Sequence, residues 1–149
     1  MTIHRSKDRI KQTGEVFTPL PLVDEILDKL PHEVFTDPNK SFLDPACGDG
    51  NFLIRVLHYK LSHNHDPIHA LSTIYGADIM PDNITQCKAR LFKEVFDHCR
   101  KNGMMKYAGK HADDFYEILN NNIVWHDALT YHYEFDGTFP DPKYNIQPE

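Results

Sequence analysis

The residues best suited to chemistry stand together in Asp44-Pro45-Ala46-Cys47-Gly48-Asp49-Gly50-Asn51-Phe52. Gly48 and Gly50 lack the β-carbon that would hold a ligand off the backbone, so the stretch can serve as a close-approach loop between a strand and a helix. It lacks the third glycine of the dinucleotide fingerprint, and its G-x-G spacing is weak evidence by itself. Asp78 and Asp127 add two more carboxylates, each just after an apolar run. Both also have a bland reading, Asp78 as a strand-end turn former and Asp127 as a helix cap, because aspartate bonds locally to backbone N–H groups at such positions. Cys47 reads as a small buried residue rather than a nucleophile. His58, His63, His65 and His69 invite a metal hypothesis, but their segment reads as a loop with no partner cluster of Cys or Glu, so no metal site is expected.

These groups need elements to position them. Leu22, Val23, Ile26, Leu27 and Leu30 recur at helical spacing and predict a first helix, with Thr18 as its capping hydroxyl and Pro19 in its first turn. Lys40 to Leu43 reads as a buried strand ending at Asp44, and Phe52, Leu53, Val56, Leu57 and Leu61 define the helix after the glycine loop. Ser72 to Ala77 is a second strand. Ile84, Cys87, Leu91, Phe92, Val95, Phe96 and Cys99 lie on one face of a helix ending near Gly103. Tyr116, Ile118 and Leu119 suggest a short helix before a third strand, Ile123-Val124-Trp125. This alternation predicts an α/β fold with a parallel, doubly wound sheet and helices on both faces, whose ligands bind outside the carboxyl ends of the strands. Asp44, Asp78 and Asp127 would then meet at one rim.

The chain has 149 residues, 40% of them hydrophobic and 26% charged, which suits one soluble domain. No apolar run approaches the roughly 20 residues of a membrane span, and the charged N-terminus is unlike a secretory signal, so a cytoplasmic location without membrane attachment is expected. Cys47, Cys87 and Cys99 show no C-x-x-C spacing and read as free thiols. The net charge of -6 argues against strong phosphate-driven binding, so any DNA contact must be local. Arg5, Lys7, Arg9 and Lys11 form a basic cluster that reads as a solvated arm or a phosphate contact. From Gly137 onward the prolines mark an irregular tail.

The loop closely resembles motif I of the adenine-N6 and related amino-methyltransferases, D-P-x-C-G-x-G-x-F. Three further segments follow that family's order. Thr13-Gly14-Glu15-Val16-Phe17-Thr18-Pro19 looks like motif X, which closes over the methionine end of the cofactor. Ile74-Tyr75-Gly76-Ala77-Asp78-Ile79 looks like motif II, and Asn122-Ile123-Val124-Trp125-His126-Asp127-Ala128-Leu129 like motif III. The resemblance implies a Rossmann-like class I methyltransferase fold with the γ order of motifs, as in type I modification subunits of restriction systems. It implies S-adenosylmethionine as cofactor, held by Phe17, Thr18, Asp44, Ala46, Cys47, Gly48, Gly50, Phe52, Asp78, Ile79, Asp127 and Ala128. In that reading Asp78 accepts the ribose hydroxyls, Asp127 faces the adenine amino group and the Ala128 N–H meets a ring nitrogen. Phe17 and Ile79 either stack on adenine or are core residues.

An exocyclic amine is a poor nucleophile because its lone pair is conjugated with the ring, and the family meets this with N-P-P-Y or D-P-P-Y. Asp141-Pro142-Lys143-Tyr144 occupies the matching place, with Lys143 where the second proline would stand. The resemblance implies that Asp141 and the Pro142 carbonyl accept the amine N–H bonds and that Tyr144 stacks on a flipped base. The family continues well past this motif, whereas only Asn145 to Glu149 follow here, so a homodimer or a second subunit is expected to complete the sheet. The readings are a DNA adenine-N6 methyltransferase or its cofactor-binding portion, a silent module that sequesters cofactor or joins a methyltransferase or restriction complex, and a methyltransferase of proteins or small amines.

Overall fold

The computed structural model describes residues 17–126. Within them lie α1 (Leu20–Leu27), α2 (Glu33–Thr36), β1 (Phe42–Asp44), α3 (Asn51–Ser62), α4 (Pro67–Ser72), β2 (Ile74–Asp78), α5 (Pro81–Lys101), α6 (Met105–Asn122) and β3 (Ile123–Trp125). The three strands form one parallel sheet in the order β1-β2-β3, with the helices packed around it. This is the Rossmann-like α/β arrangement expected from the alternation of periods.

Register sorts the strand residues by face. Phe42 pairs with Ile74, Asp44 with Gly76, Gly76 with Ile123, and Asp78 with Trp125, so these side chains share one side of the sheet. That side meets the core. Leu53, Val56, Leu57 and Leu61 of α3 and Ile84, Cys87, Leu91 and Val95 of α5 pack there with Ile74 and Ile123, all at most 2% exposed. Phe92 and Phe96, placed by periodicity on the same face, are half-buried instead. Phe92 stacks on Tyr116 of α6 at 4.5 Å between ring centroids, which joins the two long helices.

Several local expectations change. Thr18 does not cap α1: Pro19 stands at the N-cap with no side-chain bond, and the first-turn proline is Pro21. The helix ends at Leu27, short of the predicted Leu30, and Pro31 disfavours helical backbone at the residue before it. β1 is not a fully buried strand, since Leu43 is 46% exposed on the edge. The histidine segment is the end of α3 and a loop holding His63 and His65, as expected, but His69 lies in the short helix α4. Asp66 caps α4 by accepting the His69 N–H at 3.1 Å, and Tyr107 donates to the same carboxyl group at 2.9 Å. Burial and the Asp66 carboxylate push the Tyr107 phenol up to about 12. The short helix expected near Tyr116 is the eighteen-residue α6. Gly103, at φ +70°, turns the chain between α5 and α6, and the Met104 N–H closes on the Cys99 carbonyl at 2.8 Å.

Two lysines are fully buried, which nothing in the sequence marks. Lys60 donates to the Lys40 carbonyl at 2.6 Å and Lys88 to the Asn120 side chain at 3.1 Å. Burial pulls the Lys88 ammonium from 10.5 down to about 8. The unfolded chain therefore holds more protons than the fold between those values, and stability should rise with pH across that window. Below it the fold carries the full penalty of the charged ammonium. Lys88→Met should raise stability at pH 7 by roughly 1–3 kcal/mol and flatten the alkaline rise, as measured by urea denaturation at several pH values. An unchanged pH slope would show that Lys88 titrates normally.

Candidate functional site

The site grows from the end of β1. The Asp44 carboxylate accepts the Ala46 N–H at 3.1 Å, which turns the chain off the strand. The Cys47 N–H then donates to the Ala77 carbonyl at 2.9 Å, so the loop lies down along β2. That approach depends on Gly76, where a β-carbon would sit 2.7 Å from Leu53 Cδ1 and 3.2 Å from Cys47 Sγ. Gly76 was not singled out among the site residues, although a glycine inside a strand marks close approach. Gly48 and Gly50 take φ of +55° and +99°, backbone that other residues adopt only with strain, and Gly50 starts α3.

Phe17 and Thr18, just ahead of α1, close over this loop. Phe17 Cε1 lies 2.8 Å from where a Gly48 β-carbon would stand, so the ring covers the glycine. Thr18 takes part through its backbone, its carbonyl accepting from Asn51 Nδ2 at 2.7 Å. Ala46 is exposed, whereas Phe52 is half-buried against the core.

Asp78 ends β2 beside the loop. Its Oδ1 accepts the Gly48 N–H at 3.3 Å, while Oδ2 accepts the Met80 N–H and Asn83 Nδ2, each at 3.0 Å. The turn-forming role and a place at the loop thus coexist in one carboxylate. Three bonds occupy three of roughly four acceptor positions, leaving room for one ligand hydroxyl. Ile79 follows at 55% exposure, too open for a core residue. Trp125 Nε1 donates to the Ile79 carbonyl at 2.6 Å, and the His126 N–H to the Asp78 carbonyl at 3.1 Å, so β3 holds this turn from the other side. Asp127, Ala128, Asp141, Pro142 and Tyr144 lie outside the described residues.

Electrostatics separate the acidic groups from the thiol. Burial pushes the Asp44 carboxyl above its ordinary 3.8; the Ala46 N–H opposes this and the neighbouring Asp78 charge reinforces it. The Cys47 thiol is raised well above 9.0 by its hydrogen bond with Cys87, with burial and the two carboxylates adding to the rise. Its side chain is buried, as its residue type suggested. All three cysteines are buried free thiols.

Sequence reasoning missed the support behind the loop. Asp49 is 1% exposed and paired with Arg90 of α5 at 3.2 Å. The histidines have protein partners: His58 meets Glu94, His63 the Tyr59 carbonyl, His65 the Thr36 carbonyl and His69 the Asn39 side chain. Among the described residues no group of three or more His, Cys, Asp or Glu is placed to hold a metal ion, and no helix is long and apolar enough to cross a membrane.

What the rim presents is a pair of half-buried carboxylates from adjacent strands, the Phe17 ring over Gly48 and the exposed side chain of Ile79. That set can accept hydroxyl and ammonium donors and cover the face of a flat ring. A protein-family model described as N-6 DNA Methylase matches residues 3–144. No curated protein and no solved structure matches the chain.

Proposed function

The chain belongs to the N-6 DNA methylase family, a family of DNA methyltransferases, and from that premise we propose that it binds S-adenosylmethionine and methylates the N6 amine of adenine in DNA. The carrying observation is the rim itself, where Asp44 and Asp78 stand at the carboxyl ends of neighbouring parallel strands and Asp78 accepts the Gly48 N–H. The fit to this cofactor rests on charge and room. Burial chiefly raises Asp44 and the neighbouring Asp78 charge adds to it, so a ligand bearing positive charge would relieve that smaller, repulsive part.

When bound, the cofactor supplies a methyl group activated on a sulfonium. Asp44 would attract its positive end, and the remaining acceptor position of Asp78 would take a ribose hydroxyl. Ile79 and Phe17 would flank the adenine, with Asp127 accepting from its amino group and the Ala128 N–H reaching a ring nitrogen. At the target base, Asp141 and the Pro142 carbonyl would accept the amine N–H bonds and Tyr144 would stack, so positioning and electrostatics carry the catalysis. Among the described residues β1 is an edge strand, and a second copy or a partner subunit would pair along it.

Calorimetric titration with S-adenosylhomocysteine and S-adenosylmethionine, followed by tritiated methyl transfer to unmethylated DNA, tests the reading. Both ligands should bind. Their affinity should fall as pH drops toward the carboxylate range, and from a higher pH than an ordinary aspartate at 3.8 would allow, because protonating Asp44 removes the charge that attracts them. Failure to bind either ligand sinks the proposal, and binding without transfer, with or without a partner chain, selects the silent cofactor-binding module.

A further inference from the structure

The family pattern D-P-x-C-G-x-G-x-F leaves three positions of the loop unspecified, and the two that flank Gly50 are here Asp49 and Asn51. Both are held by one side chain. Arg90 NH1 lies 3.1 Å from the Asp49 carbonyl, 3.2 Å from its carboxylate and 2.9 Å from Asn51 Oδ1. A guanidinium only donates, so the Asn51 oxygen must face Arg90 and its nitrogen must face away. That nitrogen donates to the Thr18 carbonyl at 2.7 Å. The donors and acceptors therefore run in one direction, from α5 through the first residue of α3 to the segment preceding α1. Phe17, next to Thr18, is the residue whose ring covers Gly48.

We propose that Arg90 is a positioning residue for the cofactor, acting through Asn51 to hold Phe17 and Thr18 against the glycine loop. The inference rests on the cofactor reading above. Its physical content is preorganisation: a segment already fixed by Arg90 and Asn51 need not be ordered when ligand binds, so affinity is not spent on ordering it. The Arg90–Asp49 pair has a separate task, neutralising a buried carboxylate, and removing the guanidinium would leave that charge uncompensated. Arg90→Ala would therefore report folding rather than positioning, and the relay is better cut at Asn51.

The test uses Asn51→Ala, Asn51→Asp and Arg90→Lys in the full chain. Asn51→Asp keeps an acceptor for Arg90 and places a carboxylate at the start of α3, where the helix dipole favours it, but sets an acceptor against the Thr18 carbonyl. Arg90→Lys keeps a positive charge near Asp49 but ends on a shorter side chain, short of the point where Arg90 NH1 meets both neighbours. Affinity for S-adenosylhomocysteine should fall about 10-fold in both Asn51 variants and by a smaller factor in Arg90→Lys, while the melting temperature of Asn51→Asp without ligand stays near that of the wild type. KM for S-adenosylmethionine should rise with kcat little changed. Wild-type affinity in Asn51→Asp would overturn the proposal. So would a loss of affinity that only follows a loss of melting temperature across the three variants. Failure of the wild type to bind overturns the cofactor reading and this inference together, whereas wild-type binding with unaffected variants overturns this inference alone.

Discussion

Gly48→Ala should weaken S-adenosylhomocysteine binding by about 30-fold or more while leaving a folded protein. Two effects combine. At φ +55° an alanine is strained by roughly 1–2 kcal/mol relative to glycine, because its β-carbon crowds the following carbonyl. The same β-carbon would also stand 2.8 Å from Phe17 Cε1, so the ring must leave the glycine it covers. The ring edge can swing away, so the fold bears chiefly the backbone strain, whereas the cofactor loses the surface that Phe17 and Gly48 form together. Phe17→Ala supplies the check. If ring displacement is the route, the two substitutions should be less than additive in affinity, and the double variant should resemble Gly48→Ala alone. Full additivity would show that Gly48 acts by its own backbone contact.

Asp78→Ala should lose both stability and affinity, the former by on the order of 3 kcal/mol. Its carboxylate receives three donors from the loop, the turn and α5, and bonds to a charged acceptor contribute about 1.5–3 kcal/mol apiece before relaxation. Against a typical total of about 5–15 kcal/mol, that is a large fraction of the fold's margin. Affinity should drop at least 10-fold, since the ribose loses a charge-assisted acceptor and the loop loses its tie at Gly48. Asn83→Ala separates the two roles: it removes one of the same bonds but leaves the carboxylate in place. Urea denaturation should show both variants destabilised, and calorimetry should show a large affinity loss only for Asp78→Ala. Equal affinity losses would make Asp78 a turn residue and nothing more.

The parts of the fold legible in the sequence are those whose signals are local. The helix through Ile84, Cys87, Leu91, Val95 and Cys99 repeats its apolar residues at 3.6-residue spacing for its whole length, and all five are fully buried. Ile123-Val124-Trp125 is a strand because β-branched and aromatic residues fit a pleated, buried surface. α6 is only partly legible because its buried apolar residues, Ala108, Phe115 and Leu119, are sparse among charged neighbours, so its first half carries little periodicity. α4 had a readable start in Asp66-Pro67, a capping aspartate before a first-turn proline, but its histidines suggested a loop.

The candidate site divides the same way. Residue types and spacing determined that Asp44, Gly48, Gly50 and Asp78 flank a loop at strand ends, because strand period, crossover handedness and the missing β-carbon are properties of short segments. Only the tertiary structure decided what those groups are bonded to. The bond of Asp78 to the Gly48 N–H, the cover of Phe17 over Gly48 and the fit of Gly76 under Leu53 each join segments separated by other elements. So does the hold of Arg90 on Asp49 and Asn51. Nothing in a local pattern specifies such partners. A buried carboxylate or guanidinium must find a counterpart when water is withdrawn, and packing alone determines which one is within reach.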